Sequence, residues 1–230
     1  MSSWRSIFSA PANSTRRRPG PPLGMLEILE DRRVPVVGLE SVTTFQNSND
    51  TNLYQGTVDT MLRETTPTTS ETSTQTLEVQ SNPGTDRQSL LRFDGIFGAG
   101  LDQVPAGSDI IFAELVLNVT GSGDGAGFYR MNQTWQEQNT WNSFTANGTG
   151  IQPGTETNAK FFSQAGLASG EPNVPTGLQS FDVTQDLRFW SENPNQNFGW
   201  AFVSLGDGGQ PWEFSSSEHV TVANRPQLRV

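Results

Sequence analysis

The sequence predicts an all-β protein, a jelly-roll-like antiparallel β-sandwich with one short helix. The first observation is the run IIFAELVLNVT at residues 110–120, where apolar residues recur at period two, as a half-buried strand requires. The residues expected on its buried side are Ile111, Ala113, Leu115, Leu117 and Val119. The second observation is spacing, because short apolar runs recur every 8–20 residues between glycines and prolines. The third is the supply of large core residues, 14 Phe and 6 Trp.

The remaining strands are predicted by the same criteria, as short apolar or alternating runs bounded by turn residues. The predicted strands are 57–63, 74–79, 89–94, 109–120, 127–132, 159–162, 179–183, 198–204, 212–216 and 226–230. The helix is predicted from Val183, Leu187 and Trp190, which share one face at helical spacing. Thr184 is the predicted cap of that helix, which is expected to span two turns.

Three regions follow from composition: a leader over 1–40, a linker over 41–56 and the sandwich over 57–230. Residues 1–24 are rich in Ser, Arg and Pro and cannot bury a core, so disorder is expected there. The segment MLEILEDRRVP at 25–35 predicts a short amphipathic helix with Leu26 and Leu29 on one side. No run in the sequence approaches the length of a membrane span.

The charge and cysteine content exclude several classes of function. Residues 1–40 carry about +2 and residues 41–230 about −12, within a formal net charge of −10. An acidic body repels phosphate backbones, so nucleic acid is not an expected partner. The absence of Cys excludes disulfides, thiolate nucleophiles and cysteine-based zinc sites.

Seven segments, in order, resemble the DNRLRE domain family, which is also classed with carbohydrate-binding module family 96. They are DTMLR at 59–63 with TLEV at 76–79, SLLRFD at 89–94, PAG at 105–107, WQE at 135–137 with TWN at 140–142, FDVT at 181–184 with Trp190, NFGW at 197–200, and FSSSE at 214–218 with RPQLRV at 225–230. The segment at 25–35 is similar to an LExLEDRxVP leader of exported bacterial surface proteins. Together these resemblances imply a non-catalytic, extracellular or cell-surface module that binds polysaccharide. A structural or adhesive surface module without a sugar site is the alternative.

Four residues are the candidate carbohydrate contacts. Trp141 opens a polar loop and Trp212 follows a Gly/Pro loop, so either indole is a candidate for stacking on a sugar ring. The alternative for each is a core or edge plug, as expected for Trp135. Tyr129 and Arg130 lie on one short strand, where Arg130 is a candidate for bidentate binding of a uronic-acid carboxylate. The alternative for Arg130 is a cross-strand salt bridge with one of the many acids.

Candidates for catalysis and for metal binding are few. His219 is the one histidine, so no triad or histidine-based metal cluster is expected, and no stretch marks a carboxylate pair for glycoside hydrolysis. A hydrolase is therefore the disfavoured alternative. A structural Ca²⁺ stays open, because loop carboxylates are plentiful although no EF-hand spacing occurs. Its candidate ligands are Asp94, Asp124, Asp207 and Glu218.

Overall fold

The computed structural model describes residues 41–50, 53–144, 148–166, 174–206 and 209–230. Residues 41–230 form one compact unit, and the predicted leader over 1–40 lies outside the described residues. Within the part of the chain that is described, no helix has the length and apolar character needed to cross a membrane.

The predicted fold class is confirmed: the strands form two sheets in which every strand pair is antiparallel. Sheet A contains β1 (Thr44–Phe45), β3 (Thr76–Val79), β5 (Glu114–Gly121), β8 (Gly177–Asp182), β10 (Trp212–Ser215) and β11 (Gln227–Arg229). Sheet B contains β2 (Thr57–Arg63), β4 (Arg87–Phe93), β6 (Ala126–Arg130), β7 (Ser163–Ala165) and β9 (Trp200–Ser204), in the order β2-β4-β9-β6-β7. The single α-helix among the described residues is α1 (Thr184–Glu192).

Strand β5 is central to sheet A, as its sequence predicts. Along one edge, the first half of β5 pairs with β11 and the second half with β10. The opposite edge pairs with β8. Its inward residues Leu115, Leu117 and Val119 are buried in the core between the sheets. A cluster of aromatic rings from both sheets fills the same core, including Phe128, Phe202 and Phe214.

The start of this strand is a correction to the sequence prediction. Pairing begins at Glu114, and Ile111 is 63% exposed instead of buried, whereas Ile110 is buried. The physical reason is a contact from α1: Arg188 donates hydrogen bonds to the carbonyl oxygens of Ile110 (2.7 Å) and Ile111 (3.3 Å). These carbonyls are therefore used by the helix and not by a neighbouring strand.

Three further boundaries differ from the prediction. The predicted linker over 41–56 contributes β1, which pairs with β11 and buries Phe45 in the core. The strand predicted at 159–162 is found at β7, which begins four residues later, at Ser163. Thr184 begins α1 without capping it, because its hydroxyl instead accepts a hydrogen bond from the Ala113 N–H (2.9 Å).

A second apolar layer lies on the outer face of sheet B. We call it the outer layer, and it comprises Leu62, Leu90, Met131, Trp135, Trp141, Ile151 and Ala201. The segment after β6 supplies four of these side chains and so covers the sheet. Gln88 anchors this segment from β4, because its side-chain amide donates to the Ile151 carbonyl (2.9 Å) and accepts from the Ile151 N–H (2.7 Å).

Candidate functional site

Trp141 lies in the outer layer and is 3% exposed. It opens a short 3₁₀ turn, Trp141–Ser143, and its indole Nε1 donates to the Gly148 carbonyl (2.7 Å). Gly150, with a φ of +65°, lies directly against the ring, where a Cβ would stand 2.8 Å from two ring carbons. The expectation that Trp141 presents an indole face to a sugar is therefore wrong, and Trp141 is a core residue.

Trp212 lies between the two sheets and is fully buried. Its ring centroid is 4.7 Å from that of Phe214, and the rings of Phe128, Phe181 and Phe202 lie about 6 Å away. The expectation of an exposed platform at Trp212 is also wrong, because the Gly/Pro loop before it leads directly into β10. Of the two alternatives left open for this residue, the sandwich plug is confirmed.

Trp135 is buried at the edge of the outer layer, as predicted. Its indole Nε1 donates to the Phe198 carbonyl (2.7 Å). The Arg92 guanidinium lies 4.6 Å from the centre of the indole ring system. Arg92 also binds both carboxylate oxygens of Asp94, at 2.5 and 2.9 Å, so these two residues form an ion pair.

Three aromatic residues, Tyr129, Phe161 and Phe162, lie beside the β7 edge of sheet B. We call them the aromatic cluster, in which Tyr129 and Phe161 form a ring pair and Phe162 contacts Arg130 instead. The rings of Tyr129 and Phe161 meet edge to face at 5.2 Å, and both are half-buried, whereas Phe162 is 49% exposed. Gly127 permits this arrangement, because a Cβ there would stand 2.7 Å from the Tyr129 ring and 2.8 Å from the Phe161 ring.

Arg130, the next residue, is held beneath Phe162 by a buried carboxylate. Its guanidinium carbon lies 5.1 Å from the Phe162 ring centre and 4.1 Å from that of Phe189. Its Nε lies 3.5 Å from an oxygen of Asp186, a residue of α1 with no exposed side-chain surface. Arg130 thus forms a salt bridge, but with a residue of α1 and not across strands as the alternative expected, and this pairing argues against bidentate binding of a uronic acid.

The electrostatics of this ion pair follow from burial. Burial raises the pKa of Asp186 to about 6, against the opposing effects of the Trp200 indole N–H, which donates to its second oxygen at 2.7 Å, and of Arg130. Burial also lowers the pKa of Arg130, and Asp186 opposes that shift. The Arg130–Asp186 ion pair therefore fixes the positions of these two side chains and does not present an exposed charge to a ligand.

The calcium candidates are not brought together. Asp94 is held by Arg92, the Asp124 carboxylate lies 3.3 Å from the Gln210 N–H, and Glu218 accepts from the Ser217 hydroxyl (2.6 Å). Among the residues described, no three His, Cys, Asp or Glu side chains form a group that could hold a metal ion. Asp207, the fourth candidate, lies outside the described residues.

Two carboxyl groups do converge, although no sequence motif marks them. Asp59 on β2 is 2% exposed, and its Oδ2 accepts from the Ser217 N–H (2.7 Å). Burial, and then the nearby charge of Glu218, raise the pKa of Asp59 well above its usual range. Because Asp59 is almost fully covered, a substrate cannot reach it. His219 is occupied within its own turn, where its Nδ1 accepts from the Thr221 N–H (3.0 Å).

Sequence reasoning missed Phe161, Phe162 and Asp186. The sequence does contain a signal for the two phenylalanines. Neighbouring residues in extended chain point to opposite sides, so two adjacent rings cannot both enter one core and one of them must lie outside it. Asp186 gives no such signal, since its partner Arg130 is distant in the sequence. Comparison of the sequence with family models and with curated proteins gave no match. The resemblance to the DNRLRE family stays a prediction.

Proposed function

We propose that this sandwich is a non-catalytic, extracellular polysaccharide-binding module whose ligand contacts the exposed ring of Phe162 in the aromatic cluster. The observation that carries the proposal is the exposure of the Phe162 ring, of which about half the side chain remains open to solvent. An exposed ring of this kind offers an apolar face to the C–H face of a sugar. The motif resemblance to the DNRLRE family supports the same class of ligand, and the leader-like segment supports export.

The rigidity of the ring is a second support. Phe162 lies over the Arg130 guanidinium, which also contacts the Phe189 ring and is paired with Asp186. With its amide oriented to satisfy its neighbours, Asn158 also accepts from two nitrogens of Arg130, at 2.9 and 3.1 Å. A ring that is held in place before binding loses little conformational entropy on contact with a ligand, which favours affinity.

A structural or adhesive module without a sugar site is the second candidate. It is favoured by the burial of five of the six tryptophans, which are Trp135, Trp141, Trp190, Trp200 and Trp212. These large side chains stabilise the two apolar layers and leave no indole face for a ligand. On this alternative the aromatic cluster contacts a protein partner or only solvent.

Affinity electrophoresis of the full chain separates the two candidates. Native gels containing single neutral or acidic polysaccharides are run with calcium and then with EDTA. At least one polymer is expected to retard the wild-type chain, and Phe162→Ala is expected to lose about tenfold in affinity, which corresponds to 1.4 kcal/mol. Loss of retardation in EDTA alone would add a metal to the binding reaction.

Phe112→Ala is the matched control. Phe112 is exposed to a similar extent, at 56%, but lies before β5 and outside the aromatic cluster. It is expected to migrate as the wild type does in every gel. Retardation by no polymer, or equal retardation of Phe162→Ala and the wild type, would contradict the proposed site and favour the structural module.

A further inference from the structure

Strand β8 is an open edge of sheet A. It pairs with β5 over all six of its residues without a shift in register, and it pairs with no other strand of the described chain. One end of its free edge is covered by β7, because the Ser163 hydroxyl donates to the Asp182 carbonyl (2.5 Å). The rest of the strand lies at the surface, where Leu178 is 62% exposed and Ser180 is also exposed.

The direction of the backbone groups along this edge follows from the pairing with β5. The Val183 N–H donates to the Ala113 carbonyl (3.0 Å), which continues the register of the two strands. Successive residues of an antiparallel strand direct their N–H and C=O alternately to one side and to the other. The odd-numbered residues of β8 therefore bind β5, whereas Leu178 and Ser180 direct both backbone groups away from it. No hydrogen bond within the described part of the chain uses these four outward groups.

No feature of β8 protects this edge from pairing with another chain. Exposed edges are commonly protected by a charged residue, especially lysine, by proline or by a bulge. The strand reads GLQSFD, without proline or a basic residue, and its one charge lies at the covered end. The edge strands β1, β3 and β7 have only two to four residues, and β2 has five of its seven residues buried. Among the described strands, β8 therefore offers the longest exposed edge.

The charge of the surroundings favours a basic occupant. Residues 41–230 carry about −12, so a second copy of this chain would be repelled and a basic segment attracted. Asp182 brings negative charge to the free edge, because it lies on the same face of β8 as Leu178 and Ser180. It is exposed and forms no salt bridge among the described residues. Its Oδ1 accepts from the Thr184 N–H (2.9 Å), which stabilises the ionised form.

We propose that the free edge of β8 at Leu178 and Ser180 binds an extended, basic segment of a partner protein, which adds to sheet A as an antiparallel strand. The N–H and C=O of these two residues form the main-chain hydrogen bonds, as in other cases of β-strand addition. A basic side chain opposite Ser180 lies diagonal to Asp182, within reach of its carboxylate. An apolar side chain opposite Leu178 covers that exposed residue. The site shares no residue with the aromatic cluster and does not depend on polysaccharide binding.

The probe is a fluorescently labelled peptide, Ser-Thr-Arg-Thr-Leu-Thr-Ser, which places arginine opposite Ser180 and leucine opposite Leu178 in the antiparallel register. Fluorescence anisotropy at low ionic strength measures its binding to the full chain, and saturable binding is expected. The same peptide with glutamate in place of arginine is expected to bind about threefold more weakly or worse, the effect of one exposed ion pair. Equal binding of the two peptides would overturn the basic character of the partner.

Ser180→Pro tests the edge itself. The substitution removes the outward N–H of Ser180, which the pairing with β5 does not use, and proline is tolerated on edge strands at such positions. The Tm is expected to change little, whereas peptide binding is expected to weaken by about tenfold or more.

Leu178→Lys is the second variant, because an exposed residue can be replaced without loss of the fold and the new charge repels the arginine peptide. It is also expected to weaken binding by about tenfold or more. Its matched control is Leu101→Lys, the same change at a residue that is 103% exposed in the loop before β5. This control is expected to bind the peptide as the wild type does.

Two other results would overturn the proposal. The first is the absence of saturable binding by the wild type, or unchanged binding by Leu178→Lys and a folded Ser180→Pro. The second is a wild-type dimer in analytical ultracentrifugation that Ser180→Pro converts to a monomer, since the edge would then pair with a second copy of this chain.

Discussion

Replacement of Trp141 by alanine distinguishes a core indole from a ligand platform. Trp141 is 3% exposed and contacts the outer layer on sheet B, and its Nε1 is bonded to the Gly148 carbonyl. The variant therefore creates a cavity under the segment that covers the sheet. If the indole were a platform, the same substitution would remove ligand contacts and leave the fold intact.

The magnitude follows from the burial of the ring. Truncation of a buried Trp to Ala costs about 3–5 kcal/mol, from lost apolar burial and the cavity that remains. Loss of the hydrogen bond to Gly148 adds about 1 kcal/mol at most, because that residue is half-buried and water can reach its carbonyl. In a domain of this size about 1 kcal/mol corresponds to 2–4 °C in Tm, so a decrease of about 8–24 °C is expected.

The assay is thermal unfolding of the full chain followed by calorimetry and near-ultraviolet circular dichroism. Phe112→Ala is the control, because exposed substitutions of this kind usually change stability by about 0.5 kcal/mol or less. A Tm of Trp141→Ala within about 2 °C of the wild type would place the indole outside the core, since that corresponds to 1 kcal/mol or less. Such a result, combined with lost polysaccharide binding, would refute the structural assignment of Trp141.

Three further substitutions have defined outcomes. Burial raises the Asp186 pKa from 3.8 to about 6, so the free energy of unfolding of the wild type falls as pH rises from about 4 to 6. In urea titrations over that range, the stability of Asp186→Asn relative to the wild type should increase by up to about 3 kcal/mol. A constant stability difference between the two proteins would argue against the buried charge. In the same titrations, Gly199→Ala should lower the free energy of unfolding by about 2–4 kcal/mol, because the φ of Gly199 is +71° and a Cβ there would stand 2.2 Å from the Leu91 carbonyl oxygen. A Gly199→Ala variant as stable as the wild type would disprove this close approach. Gln88→Ala leaves the buried N–H and C=O of Ile151 unpaired and should cost about 2–5 kcal/mol, with protection from exchange lost at the Ile151 amide; retained protection would show that another group anchors the segment.

The parts of the fold that could be predicted are the strands whose alternating residues show locally which face is buried. The strand TVDTMLR was predicted at 57–63 and is found there, since one face is buried in the core and turns bound both ends. The centre of β5 was equally predictable from its alternating leucines and valines. The start of β5 was not, because the apolar run at 110–112 does not show that Arg188 engages two of its carbonyls.

The candidate site was less predictable because its geometry depends on contacts between distant parts of the chain. A tryptophan beside a Gly/Pro loop has the same local sequence whether or not another segment covers it. Trp141 is covered because Gln88 anchors Ile151 across the sheet. Arg130 pairs with Asp186 because α1 packs against the end of β6, a placement that only the assembled fold provides.

Titration calorimetry of the full chain with a polysaccharide that retards it in gels tests whether Phe162 is at the binding site, with Phe162→Ala and Trp212→Phe compared with the wild type. Phe162→Ala is expected to weaken binding by about tenfold or more, whereas Trp212→Phe, a change inside the core, is expected to alter affinity by about twofold or less. Tight binding by Phe162→Ala and lost binding by a folded Trp212→Phe would contradict this assignment. The ligand would then contact Trp212 after a rearrangement of the sandwich, and the aromatic cluster would not be the site.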